Sequence, residues 1–407
     1  MHHFLFMSSS MAEHKTNLHI AVFPWLAFGH ILPFFQLSKS LAQRGHYISF
    51  ISTPRNLQRL PRIPPNLSAF VNLTPLPIPP NSNLPPNAEA TSDISPDQTP
   101  FLFEALDSLQ ESLTKFLEQS RPDWLIYDFA TSWLPPIAAE LGSAIQGCEF
   151  MAVRSCIEFE SEWLSLLENE LYLKPVVAVG LLPPPRIQNS HVEDERWVPI
   201  KEWLDKQRER SIVYIAFGSE STLSQTQLTE LAHGLELSEL PFFWVIRKPT
   251  SGDLVEDELS KLLPIGFEDR VEGRGFVTMD WVPQLRILAH PSVGGFLTHS
   301  GWSSIIEGLG FGLNLILLPL SPPQALNARL LESKTIGLEI PRDEQDGSFT
   351  RDSVAESMIV VMVGEEGEMF RRKVKEMTEI FGDRKLHDRY MDEFDRYLSE
   401  YKSKSQG

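Results

Sequence analysis

Residues Trp281 to Gln324, WVPQLRILAHPSVGGFLTHSGWSSIIEGLGFGLNLILLPLSPPQ, carry the pattern that decides the fold. Gly294 to Thr298 is an apolar run of strand length, and His299-Ser300-Gly301 turns the chain. A helix carrying Glu307 is expected next, capped by Ser303 or Ser304 and ending near Gly310 and Gly312. Asn314 to Leu320 is a second buried-strand pattern, closed by Ser321-Pro322-Pro323, and beyond Gln324 a helix is expected to about Ser333. A helix that starts just past a parallel strand aims its unbonded N–H groups and positive dipole end at the crevice where α/β proteins bind anions. His299, Ser303 and Ser304 add donors suited to a diphosphate. Glu307 follows about one turn on, roughly 6 Å by helix rise, a fitting reach for a carboxylate that accepts hydrogen bonds from a ribose. Trp281 and Gln284 offer a stacking plane and an amide for a base.

Composition narrows the class. A chain of 407 residues is long enough for two domains with sizeable cores. Its 42% hydrophobic and 22% charged residues are those of a globular protein. The net charge of −18 argues against nucleic acid or an anionic membrane as a general partner, so any phosphate must be held by local donors and dipoles. Cys148 and Cys156 are too few for a disulfide framework or a cysteine-rich metal site, and a reducing compartment fits. No apolar run reaches the ~18 residues of a membrane span, and MHHFLFMSSSM lacks the charged lead-in of a signal peptide. Residues 1–16 are expected to be a disordered leader. No D-x-D or H-E-x-x-H occurs, so no metal site is expected, and GLGFG at 308–312 lacks the spacing and strand context of a dinucleotide loop.

The opening of the chain repeats the βαβ logic. Leu18 to Phe23 and Tyr47 to Thr53 are expected strands around a helix from Ile31 to Arg44, with His30 in the loop between. His30 then lies at the carboxyl end of a parallel strand, where ligands collect. Phe101 to Gln119 reads as one amphipathic helix, and Trp124 to Tyr127 as a strand ending in Asp128. Asp128 alone reads equally well as a helix cap. Later come strands at Ile212 to Phe217, Phe242 to Arg247, Gly275 to Met279 and Ile336 to Ile340, with a Ser224–Gln227 capping box.

W-x-P-Q, then T-H-S-G-W-x-S-x-x-E, then the closing Gln resembles the donor-binding signature of the plant family 1 UDP-glycosyltransferases over its full length. The alternative, a plain βαβ crossover with Trp and His in its core, does not account for so many matching polar positions. The resemblance implies that Trp281 stacks on uracil, Gln284 contacts the uridine, Glu307 holds the ribose, and His299, Ser303 and Ser304 bind phosphate. It places Val282 and Gly301 in the same donor site, sets Trp302 and Gln324 toward the sugar, and brings the Gly218-Ser219 turn to the phosphates. Gly29-His30-Ile31-Leu32-Pro33 resembles the family's catalytic-histidine motif, with Asp128 as the histidine's partner. One position departs: the residue before the closing Gln is usually acidic, and here it is Pro323. Losing a charge-assisted hydrogen bond to a sugar costs about 1.5–3 kcal/mol, which bears on donor choice and turnover.

The family implies an α/β fold in the GT-B arrangement, two facing Rossmann-like domains with parallel sheets and a cleft between them. The expected division is a leader at 1–16, an acceptor-binding domain at 17–182, a linker at 183–199, a UDP-sugar domain at 200–384, and a helix at 385–407 crossing back to the first domain. A family segment looks absent near 142–148. HIAVFPWLAFGHILPFFQLSKSLAQRGH, VRSCIEFE and IPRDEQDGSFTRDSVAES resemble the branch that extends existing glycosides from UDP-rhamnose or UDP-glucose. The leading expectation is an inverting, metal-independent transferase acting on a flavonoid or triterpenoid glycoside, with the UDP-sugar as co-substrate, no further cofactor, and a monomeric cytoplasmic protein. The competing one is a nucleotide-sugar-binding protein impaired by its short acceptor domain and Pro323.

Overall fold

The computed structural model describes residues 17–80, 83–131, 133–134, 137, 149–184, 196–218, 221–247, 259–343 and 345–405. The apparent deletion near 142–148 lies outside the described residues.

Alternating buried strands and helices build two parallel sheets. In the first half, β1 (His19–Phe23), β2 (Tyr47–Ser52), β3 (Val71–Pro75) and β4 (Trp124–Tyr127) lie in the order β3-β2-β1-β4, all parallel. A separate parallel pair follows, β5 (Met151–Val153) with β6 (Val176–Ala178). The second half holds β7 (Ile212–Ala216), β8 (Phe242–Val245), β9 (Gly275–Thr278), β10 (Val293–Thr298), β11 (Asn314–Leu317) and β12 (Gly337–Glu339), in the order β12-β11-β10-β7-β8-β9. β7, β10 and β11 are buried along their whole length, as continuous apolar runs demand in a sheet covered on both faces. The capping box at Ser224 forms: its hydroxyl accepts from Gln227 N, and the Gln227 amide oxygen accepts from Ser224 N at 2.9 Å.

Three helix expectations are corrected. The first helix runs Phe28–Gln43, not from Ile31, so Gly29 and His30 belong to its first turn and Pro33 lies inside it. The stretch 101–119 is two helices, Thr99–Asp107 and Gln110–Ser120. At the break the Ser108 hydroxyl donates back to Ala105 O at 2.6 Å, the local side-chain bond by which serine competes with the helix ladder. The helix after β11 starts at Pro322 rather than past Gln324, with both prolines in its first turn, where a missing N–H leaves no partner unsatisfied.

The closing helix, Arg384–Ser405, packs on the first half. Met391, Phe394 and Leu398 share a core with Leu18, Ile20, Val22 and Trp124, and Trp124 Nε1 donates to Leu398 O at 3.2 Å. Arg44 bonds Asp392 and His46 bonds Asp395, at 2.7 and 2.6 Å. Where this helix begins, Arg384 donates to Pro184 O, while His387 accepts from Leu181 N at 3.3 Å and meets Ile380 O at 3.0 Å. Conversely Cys156, Phe159 and Leu181 pack with second-half residues such as Ile305, Leu309 and Phe381. Among the described residues no helix is long and apolar enough to cross a membrane. Phe394→Ala, truncating a fully buried ring, is expected to cost about 3–5 kcal/mol, and urea unfolding measures it. A loss below about 1 kcal/mol would show that the closing helix is not part of the first half's core.

Candidate active site

In-register pairing brings the first pair of groups together. β1 and β4 are parallel with Phe23 opposite Tyr127, so the turn after β1 and the residue after β4 emerge side by side at one sheet edge. The helix starting at Phe28 presents His30 there, and His30 Nδ1 lies 2.8 Å from Asp128 Oδ2. That oxygen also accepts from Trp25 N at 3.1 Å, and Oδ1 accepts from Phe129 N at 2.8 Å. Burial pulls the Asp128 carboxyl up, but the hydrogen bond and charge of His30 and the two backbone donors outweigh it and leave it below the ordinary carboxylate range. With Nδ1–H given to a carboxylate, the imidazole's basic lone pair sits on Nε2. The His30 side chain is 41% exposed and Asp128 10%, a reachable base on a sheltered anchor. The Phe129 ring lies 5.7 Å from the imidazole. Beside Asp128 is a cavity of about 360 Å³ walled by Phe34, Leu37, Trp124, Tyr127, Phe150 and Met151, with Glu149 and Arg154 among its polar lining.

The second constellation forms at the ends of β7 and β10, paired with Ala216 opposite Thr298. After β10 the chain passes through Ser300 in a left-handed conformation, φ 66°, into the helix Trp302–Gly310. The N-cap is Gly301, without a side-chain cap, so neither Ser303 nor Ser304 plays the expected capping part. The helix begins at Trp302, so both serines lie inside its first turn, past the N-cap position, and Ser303 Oγ accepts from Arg154 Nη1 at 2.8 Å. The Cε1–Nε2 side of the His299 ring lies close to two glycines. A Cβ on Gly218, whose φ is 72°, would stand 2.8 Å from His299 Cε1, and one on Gly301 2.5 Å from Nε2. Burial lowers the His299 imidazole to about 4, so it is neutral near pH 7. The hydroxyl of Ser300 is buried without a hydrogen-bond partner at this same tip. Ser219 lies outside the described residues.

Glu307 is held from two sides. Gln284 Nε2 donates to its Oε2 at 2.7 Å, and the Tyr214 hydroxyl donates to Gln284 Oε1 at 3.3 Å. Burial raises the Glu307 carboxyl, opposed by the Gln284 bond and the charge of Arg154. Trp281 is 64% exposed, with the Arg196 guanidinium 5.0 Å from its ring centre, so one broad aromatic plane borders the site. Val282 is buried, leaving only its main chain for a ligand. Gln324 accepts from Leu320 N at 2.8 Å and reaches Ser221 Oγ at 3.4 Å. Ser304 is buried in the helix's first turn. The Trp302 indole N–H donates to Arg154 O at 3.1 Å and its ring meets Phe159, so the side chain faces the first half. Among the described residues no group of three or more His, Cys, Asp and Glu is arranged to hold a metal ion. Tyr214, Ser300 and Arg154 were not singled out from the sequence. The spacing of residues that meet only in three dimensions gives no local signal of them.

Residues 188–389 match the family described as UDP-glucoronosyl and UDP-glucosyl transferase. The chain is 42% identical to UDP-glycosyltransferase 91C1 of Arabidopsis thaliana, covering 94% of this chain and 96% of that protein. It is 38% identical to soyasaponin III rhamnosyltransferase of Glycine max, over 97% and 99%. Among solved structures it is similar to Arabidopsis thaliana UGT89C1 complexed with UDP-L-rhamnose, with TM-score 0.77, 22% identity and coverage of 94% and 100%. The fold is thus the GT-B arrangement of two α/β domains. The chain belongs to the plant family 1 UDP-glycosyltransferases, enzymes that transfer a sugar from a UDP-sugar. The alignment with the Arabidopsis protein runs over 456 positions against 407 residues here, so at least 456 − 407 = 49 positions have no counterpart in this chain.

Glu307 yields a pH test. The resemblance implies that Glu307 accepts ribose hydroxyls as a carboxylate, and burial has raised its pKa, so acidification protonates it earlier than an exposed glutamate. Calorimetric affinity for UDP-glucose is expected to fall between neutral and mildly acidic pH, whereas Glu307→Gln binds weakly with a flat profile. An unchanged profile in the variant would remove Glu307 from the donor site.

Proposed function

We propose that this chain is an inverting, metal-independent glycosyltransferase that moves rhamnose or glucose from its UDP-sugar to a hydroxyl of a small plant glycoside of the flavonoid or triterpenoid class. His30 is the general base. Its Nε2 takes the proton of the acceptor hydroxyl as that oxygen attacks the anomeric carbon from the face opposite UDP. The C–O bond forms while the bond to the diphosphate breaks, which inverts the carbon. Asp128 holds the imidazole's orientation and stabilises the imidazolium that results. Charge building on the departing UDP is met by the N–H groups of the helix Trp302–Gly310 and the hydroxyls of Ser303 and Ser304. His299, neutral at the same tip, contributes a hydrogen bond and no charge. Trp281 stacks on the base, Gln284 and the main chain of Val282 hold its edge, and Gln324 contacts the sugar.

The observation that supports this reading most is the 2.8 Å His30–Asp128 bond at one sheet's carboxyl edge, in a chain whose other sheet carries the donor-site helix. The cavity beside Asp128 has the size and mostly apolar lining suited to an aglycone. The soyasaponin III rhamnosyltransferase, and a solved relative complexed with glycyrrhetinic acid 3-O-monoglucuronide, support a glycoside acceptor. A monomeric cytoplasmic protein that neither binds nucleic acid nor inserts into membranes is part of the same proposal, as is the absence of any cofactor beyond the co-substrate.

His30→Ala is expected to reduce transfer by about 10²–10⁴-fold while UDP affinity stays the same, measured as UDP release and by calorimetry. Asp128→Asn should fall in the same range. Transfer that survives in His30→Ala removes His30 as the base. The positions missing relative to the family favour one other reading, a nucleotide-sugar-binding protein, and UDP binding without UDP release from any donor would establish it. Pro323 is exposed in the first helical turn, so Pro323→Asp fits the local structure, with its charge at the favourable dipole end. It is expected to raise turnover with UDP-glucose in a donor screen. No gain with any donor would show that position 323 does not read the sugar.

A further inference from the structure

Arg154 follows β5 directly and joins more of the molecule than any residue assigned above. Its Nε donates to Leu181 O at 2.7 Å and Nη2 to Leu182 O at 3.3 Å, both in the first half. Its Nη1 crosses to Ser303 Oγ at 2.8 Å, and its own carbonyl accepts from the Trp302 indole at 3.1 Å. Trp302 and Ser303 are the first two residues of the helix whose N-terminus faces the proposed diphosphate position. Glu307, one turn along that helix, interacts electrostatically with the same guanidinium. The imidazole at this tip, His299, is neutral. Burial lowers the Arg154 guanidinium to about 10, partly offset by Glu307, so it remains charged at neutral pH.

We propose that Arg154 is a positioning residue of the donor site, fixing Ser303 and the first turn of the helix Trp302–Gly310 and supplying there a positive charge carried by the opposite half of the molecule. This rests on the donor-site reading given above. A guanidinium suits that role because it is planar with several donors, so two carbonyls of the first half anchor it while a third N–H engages the helix. The donor site on this account is complete only when the β5 segment is docked against it.

The test uses the full chain with UDP-glucose as the probe. Arg154→Met is expected to weaken UDP-glucose binding by about ten- to a hundredfold, the range for losing a charged hydrogen-bonding partner, and to raise donor KM well beyond acceptor KM, which also moves because Arg154 lines the cavity beside Asp128. Arg154→Lys, which keeps the charge and loses the fork, should recover part of the loss. Affinity of Arg154→Met within about twofold of wild type overturns the proposal, and so does an equal rise in donor and acceptor KM, the mark of a loosened first half. Where circular dichroism shows Arg154→Met unfolded, Ser303→Ala and Arg154→Lys decide. Weaker donor binding in both supports the proposal, and unchanged binding in either overturns it. Glu307→Gln is the control: if it binds UDP-glucose as wild type does, the donor-site reading itself fails. If it binds weakly while Arg154→Met does not, only the role of Arg154 fails.

Discussion

A carboxylate folded into a protein interior must be met by donors and opposite charge, or it gives up its ionisation. Glu307 imposes that requirement on the second half. The Gln284 amide satisfies one oxygen, the Tyr214 hydroxyl fixes the amide, and the Arg154 charge compensates from the other half. Each of these partners is itself set by an element: Tyr214 by β7, Gln284 by the helix Gln284–Leu288, and Arg154 by the end of β5. On the proposed reading the result is an acceptor group already in place before a ribose arrives. Little reorganisation is then left for the moment of binding.

The proposed base in the first half answers a different demand. A weakly acidic hydroxyl needs a base near neutrality, and an imidazole serves only when its tautomer and direction are held. Two adjacent parallel strands supply this simply, because both chains turn outward at the same edge. One places the helix carrying His30, the other the carboxylate that receives Nδ1–H. Asp128 is further secured by two backbone amides, so the orientation of the ring depends on main chain as much as on side chain.

Much of this was legible because it is local. Trp124–Tyr127 is a short apolar run with Asp128 at its end, and strand and site residue can be read together. The strand, turn and helix around His299 follow from an apolar run, a turn and a return of helical periodicity. What could not be read has non-local causes. Ser303 reads as a cap, yet the helix begins one residue before it, and its hydroxyl accepts from Arg154, 149 positions earlier. The helix start at Phe28 was obscured by Gly29, which argues against helix on local grounds. Trp302 fits a sugar-facing motif position, and nothing local shows that its indole donates to the carbonyl of Arg154.

The chain passes from one half to the other twice, after Pro184 and again where the closing helix begins. Arg384 bonded to Pro184, and His387 bridging Leu181 and Ile380, stitch the two passages into a single seam. Arg154 also grips Leu181 and Leu182 at that seam while reaching Ser303. The polar contact that reaches the helix Trp302–Gly310 from the first half is therefore rooted on the same line along which the chain crosses over.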